Sequence, residues 1–202
     1  MLKKILTIAV SASLMSGIGI AQEKEKAVEK PKAEVKNPIV EIQTNHGNIY
    51  LEVFEKETPM HAKNFLTKVD THKYDGLTFH RVVKDFVIQG GDPTGSGSGS
   101  MGEDRLVDET SPYPQAGGTV AMARSQAGAS NCQFYINLKD NSFLDKQKFS
   151  SFAKVVGGMD VVDKIANVAV GPNDKPNDKV VMTKLTRVEK VPAAPAPKTE
   201  GK

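Results

Sequence analysis

The sequence predicts a mainly β domain: a closed antiparallel barrel with helices over its ends. Three observations predict it. Short apolar runs, several of them alternating and punctuated by Gly, Pro, Asn and Asp, dominate the middle of the chain. Only two segments there carry helical periodicity. The length of 202 residues, with 39% hydrophobic and 25% charged, suits one soluble domain plus extensions.

The first element is an extension. Lys3 and Lys4 precede an apolar or small run from Ile5 to Ile20, and Gly19-Ile20-Ala21 places small residues before a cut after Ala21. Residues 1–21 therefore read as a secretory signal peptide, and the protein as exported, to a periplasm or the external medium. A retained membrane anchor is the alternative, but the run is short and diluted by Ser and Gly. Residues 22–37, QEKEKAVEKPKAEVKN, are too polar to bury a core and read as a charged disordered linker. Residues 191–202, VPAAPAPKTEGK, form a Pro/Ala-rich disordered tail. The folded unit is thus residues 38–190.

Charge and cysteine content exclude several classes. The net charge of +3 is small, and removing Lys3 and Lys4 takes 27 basic against 24 acidic residues to 25 against 24. Neither nucleic acid nor an anionic membrane is an expected partner. The single cysteine, Cys132, forbids an internal disulfide and reads as a small buried residue. His46, His61, His72 and His80 lack zinc-like spacing, so no metal is expected.

Within the domain, Ile39–Thr44 and Ile49–Phe54 alternate about Asn45-His46-Gly47-Asn48, a hairpin. Thr58 can cap a helix whose first turn takes Pro59 and whose inner face holds Ala62, Phe65, Leu66 and Val69. Strand signals follow at Thr78–Val83, Phe86–Gln89, Thr119–Met122, Gln133–Asn137 and Phe152–Val156. A second helix spans Met159–Asn167, and Val180–Val188 closes the set. Gly97 to Gly102 matches G-x-G-x-x-G, but no amphipathic helix follows, so the segment is a loop and not a dinucleotide site.

The chemistry-bearing block is Phe79-His80-Arg81-Val82-Val83 with Phe86 to Asp92. Strict alternation puts Phe79, Arg81 and Val83 on one face, an unusual setting for a guanidinium. From pattern alone Arg81 is either a rim residue whose stem lies along apolar surface or a donor to a ligand. Val87 and Gln89 share a face in the next strand, and Gln89 could hold Arg81 by a hydrogen bond.

FHRVVKDFVIQGGDPTGSGSGS resembles the signature of the cyclophilin family. TVAMAR (119–124), CQFYINL (132–138), SFLD (142–145) and FAKVVGGMDVVDKI (152–165) continue the likeness in order and spacing, over about residues 38–188. The resemblance implies an eight-stranded closed antiparallel barrel capped by two α-helices. It also implies cis–trans isomerisation of the peptide bond before proline, without a cofactor. It assigns catalysis to Arg81, with Gln89 orienting it. It assigns the proline pocket to Phe86, Val87, Tyr135 and Leu144, the peptide groove to Ala123, Arg124 and Gln133, and the groove's edge to Gly97.

Several positions depart from the commoner pattern. Val87 stands for Met, and Tyr135 for Phe, adding a hydroxyl at the pocket. Phe143 stands for Trp, which weakens expected cyclosporin binding. Phe149 stands for His, and Arg124 for Asn, adding charge beside the groove. The expected partners are proline-containing unfolded or partly folded polypeptides, bound by a monomer that assists folding of exported proteins. A proline-peptide-binding chaperone with incidental catalysis is the alternative.

Overall fold

The computed structural model describes residues 36–102 and 105–192. The expected signal peptide, nearly all of the expected linker and the tail beyond Pro192 lie outside the described residues. Strands β1 (Ile39–Thr44) and β2 (Gly47–Val53) form the expected hairpin, with Thr44 opposite Gly47 and a two-residue turn at Asn45-His46. The turn is bound from within: the Thr44 hydroxyl donates to the Gly47 carbonyl at 2.7 Å and accepts from the His46 amide at 3.0 Å. β2 thus begins two residues earlier than its apolar pattern indicates.

Helix α1 (Pro59–Asp70) buries Ala62, Phe65, Leu66 and Val69 as its spacing requires, and His61 with them. Its cap differs from expectation. Thr58 makes no side-chain capping bond; its hydroxyl donates to the Phe54 carbonyl at 3.0 Å. The first-turn amides of Met60 and His61 instead donate to the Glu109 carboxylate, at 2.8 and 2.7 Å. A carboxylate there satisfies two orphan donors and complements the helix dipole. Glu109→Ala is therefore expected to destabilise the fold by about 1–2 kcal/mol in urea unfolding. An unchanged midpoint would show that water replaces this cap without loss.

Strands β3 (Phe79–Val83), β4 (Val87–Gly90), β5 (Thr119–Ser125), β6 (Gly128–Asn137), β7 (Ser151–Gly157) and β8 (Met182–Val188) complete the sheet. Helix α2 (Met159–Ala166) lies between β7 and β8 in the chain and buries Val161, Val162, Ile165 and Ala166. Its entry requires Gly158, at φ 80°, because a Cβ there would meet the Asn48 carbonyl oxygen at 2.1 Å.

Among the described residues the sheet has eight antiparallel strands in the order β3-β4-β6-β5-β7-β2-β1-β8. It curls into an open half-barrel, and the ladder that would close a barrel is missing. The edge strands β3 and β8 meet just before they begin, at one bridge between Thr78 and Val181. Adjacent backbone bonds run from the Phe79 amide to Val180 and from the Met182 amide to Leu77. A short helical turn at Pro172–Asp174 packs on β3.

The core lies between the concave face of the sheet and the helices. Phe65 sits at its centre, 5.5 Å from Phe134, 5.1 Å from Phe152 and 5.4 Å from Tyr74, ring centre to ring centre. Alternation sends Ile88, Val120, Met122, Phe134 and Ile136 into this core. Their neighbours Val87, Ala121 and Tyr135 go to a second, smaller apolar cluster on the opposite face, completed by Leu144.

Candidate active site

The second cluster is the floor of the site. Strand registers set Arg81 beside Gln89, Gln89 beside Tyr135, and Tyr135 beside Ala121, a single row across β3, β4, β6 and β5. Arg81 joins this row through a β-bulge between Phe79 and Arg81. The bulge breaks the strict alternation of the strand, so Phe79 and Val82 both enter the core while Arg81 is left half-exposed on the other side. The shared face of Phe79, Arg81 and Val83 expected from pattern is therefore not formed.

A pocket of about 160 Å³ opens over this row. Phe86, Val87, Ala123, Tyr135, Leu144 and Phe149 make its apolar wall, and Arg81, Gln89 and Arg124 its polar margin. Phe143 lies outside it, 52% exposed, with its ring stacked on Phe86 at 6.1 Å. Gly97 and Gln133 do not line this pocket: Gly97 borders the adjoining hollow with Arg81 and Gln89, and Gln133 is buried against Gln89.

Among the described residues Gln89 makes no hydrogen bond to Arg81, the bond expected from its position. Its Nε2 donates to Gln133 Oε1 at 3.0 Å, and Gln133 Nε2 donates to the carbonyls of Gly97 and Gly99 at 3.1 and 3.0 Å. Those glycines belong to a loop pinned by Asp92, which is 1% exposed. The Asp92 carboxylate accepts from the amides of Thr94 (2.7 Å), Gly97 (2.5 Å) and Gly99 (3.0 Å) and from the Thr94 hydroxyl (2.8 Å). Burial alone would raise the Asp92 pKa, but these donors outweigh it and hold the carboxyl below its ordinary range. The glycine spacing of this loop has a local cause: a Cβ on Gly99 would strike Asp92 Oδ1 at 2.0 Å, and Gly97 adopts φ +85°.

Tyr135 is braced from behind. Its hydroxyl, expected at the pocket, points into the interior and donates to Gln115 Oε1 at 2.9 Å. Burial raises the phenol's pKa far above its ordinary value, so the group is a fixed neutral donor. Gln115 is fully buried; it also accepts from Asn137 at 2.9 Å and donates to the Phe149 carbonyl at 3.2 Å and Ser151 Oγ at 3.0 Å. Phe149 packs edge-on against Tyr135 at 5.9 Å. The charge expected from Arg124 is matched by Asp108, with which it pairs directly, and this bond lowers the Asp108 pKa.

Sequence reasoning missed Gln115 and the anchoring role of Asp92. Gln115 sits in an irregular segment with no periodicity. The signal available for Asp92 was an Asx residue opening a Gly/Ser loop, which marks a turn without revealing four converging donors. His80 was not singled out either. The residue is 7% exposed, neither ring nitrogen has a hydrogen-bond partner among the described residues, and burial lowers its pKa.

Residues 39–187 match the family model described as cyclophilin type peptidyl-prolyl cis-trans isomerase/CLD. A peptidyl-prolyl cis-trans isomerase of Acinetobacter baylyi is 41% identical over 138 residues, 65% of this chain and 73% of that one. One from Schizosaccharomyces pombe is 36% identical over 149 residues, 72% of this chain and 96% of that one. A crystal structure of a Cryptosporidium parvum cyclophilin type isomerase superposes with TM-score 0.73 at 27% identity, covering 77% of this chain and 99% of that one. A second crystal structure of that protein, in the presence of the dipeptide Ala-Pro, gives TM-score 0.71 at 28% identity and covers 75% and 99%.

Proposed function

This chain belongs to the cyclophilin-type peptidyl-prolyl cis-trans isomerase family, and from that premise we propose that its Arg81 pocket isomerises X-Pro bonds in exported polypeptides. The observation that carries the reading is one small apolar pocket with the Arg81 guanidinium at its margin.

Resonance gives the prolyl amide a rotation barrier of about 18–20 kcal/mol, and uncatalysed exchange takes roughly tens to hundreds of seconds. Twisting the bond localises the nitrogen lone pair and makes that nitrogen a better hydrogen-bond acceptor. A donor aimed at it stabilises the twisted state more than either planar one. Arginine suits this because it stays charged and carries five N–H donors in a planar fork. The wall of Phe86, Val87, Tyr135, Leu144 and Phe149 fixes the ring while the acyl side turns. No bond to the enzyme forms and no proton moves.

Substrate backbone contacts are assigned to Ala123 and Arg124 at the pocket and to Gln133 and Gly97 beside Gln89. Phe143 widens the apolar margin and lacks the indole N–H of the commoner Trp, which supports weakened cyclosporin binding. The leader-like residues 1–21 support export, and the chain is read as a monomer.

Catalysis without a titrating group has a direct test. The rate for a proline peptide is expected to be nearly flat between about pH 6 and 8, because arginine does not titrate there. Burial lowers the pKa of the His80 ring, which favours its neutral form. A bell-shaped profile would assign the chemistry to an acid and a base and contradict this reading.

A further inference from the structure

We propose that Asp174 is the positioning residue for Arg81, taking the part that the sequence pattern assigns to Gln89; this rests on Arg81 being the catalytic donor. Asp174 Oδ2 lies 3.3 Å from Arg81 Nε. No other hydrogen-bond or ion-pair partner of that guanidinium is present among the described residues. The contact is an ion pair rather than a hydrogen bond, so the guanidinium N–H groups remain available to the pocket. Arg81 borders both the apolar pocket and a polar hollow that includes Asn173 and Asp174, so the carboxylate holds it from the side away from the proline wall.

The segment bearing Asp174 is built around this contact. Val170 and Pro176 pair in an antiparallel bridge, the Gly171 amide donates to the Lys175 carbonyl at 2.8 Å, and the Asn177 amide to Ala169 at 2.9 Å. These bonds close a small excursion with its tip over β3. At the tip two successive non-glycine residues, Asn173 (φ 61°) and Asp174 (φ 58°), take the left-handed conformation, which disfavours most side chains. Both partners of the ion pair are substantially exposed, at 37% and 45%, so the contact contributes little to stability. What the strained tip obtains is a carboxylate in a fixed place beside Arg81. An arginine otherwise free to sweep through rotamers is thereby held with its fork presented to the substrate.

The test is a double-mutant cycle on the full chain with a proline-containing peptide, reading kcat and KM separately. Asp174→Asn is expected to lower kcat by about three- to tenfold, with KM within about twofold and an unchanged melting temperature. Asp174→Glu should restore most of the loss. The double variant Arg81→Ala/Asp174→Asn should be no slower than Arg81→Ala alone, because Asp174 acts through Arg81. Normal or raised turnover in Asp174→Asn would overturn the inference, the latter by showing that the carboxylate competes with substrate. A loss of activity that tracks a lowered melting temperature, is not rescued by Glu, or adds to the loss in Arg81→Ala would overturn it as well. If Arg81→Ala were itself fully active, the assignment of Arg81 would fail first; if only Asp174→Asn were normal, that assignment would stand without this one.

Discussion

Arg81→Ala is expected to lower kcat/KM for a proline-containing peptide by about 10²- to 10³-fold, the range seen when one preorganised donor is removed from a charge-stabilising site. The protein should remain folded. Arg81 lies outside the main core and its ion pair with Asp174 is exposed, a type of contact worth about 0–1 kcal/mol. The pocket wall belongs to β4, β5, β6 and the turn bearing Leu144, none of which depends on the guanidinium. Peptide affinity should therefore fall much less than turnover. Near-normal turnover in a folded Arg81→Ala protein would remove Arg81 from the chemistry.

The second large effect is expected at a residue that does not touch the pocket. Asp92→Ala should destabilise the protein by about 2–4 kcal/mol, because it removes a buried charged acceptor and strands the donors that converge on it. Turnover should fall too. Without Asp92 the loop carrying Gly97 and Gly99 loses its anchor, Gln133 loses fixed acceptors, and Gln89 loses the partner that holds it in the Arg81 row. The stability difference has a defined pH window. The folded-state pKa of Asp92 lies below its ordinary value, so its contribution is complete above the unfolded value near 3.9 and is lost as pH falls through the folded one. The gap between wild type and Asp92→Ala should be full at neutral pH and shrink in acid below about pH 4. Equal melting temperatures at pH 7 together with equal turnover would show that the loop is held by other means.

Local pattern made much of this molecule legible. The alternation in Phe86–Gln89, Thr119–Met122 and Gln133–Asn137 separates core residues from pocket residues, and the structure divides them that way. Both helices lie where apolar spacing and Pro59 put them. The exceptions share a cause: each depends on a partner distant in sequence. Thr58 is a reasonable cap by type, yet Glu109, 49 residues from Met60, supplies the acceptor. Gln89 is well placed to reach Arg81, yet Gln133, 44 residues away, takes its donor. Tyr135 looks like a pocket hydroxyl until buried Gln115 claims it. The bulge that turns Arg81 outward carries no composition signal, because Phe79–Val83 contains no Gly, Pro, Asn or Asp. The same limit applies to the seam, where β3 and β8 are joined only by the bridge between Thr78 and Val181 among the described residues.

Exchange NMR on an Ala-Pro-containing peptide, with the full chain present in substoichiometric amount, tests the central claim most directly. It reports binding and bond rotation in one sample. The account expects cis–trans exchange cross-peaks to appear with wild type on a timescale far shorter than the uncatalysed tens of seconds. With Arg81→Ala it expects the peptide shifts to show binding while those cross-peaks vanish. Binding by wild type without accelerated exchange would contradict it and leave a proline-binding module in place of an isomerase.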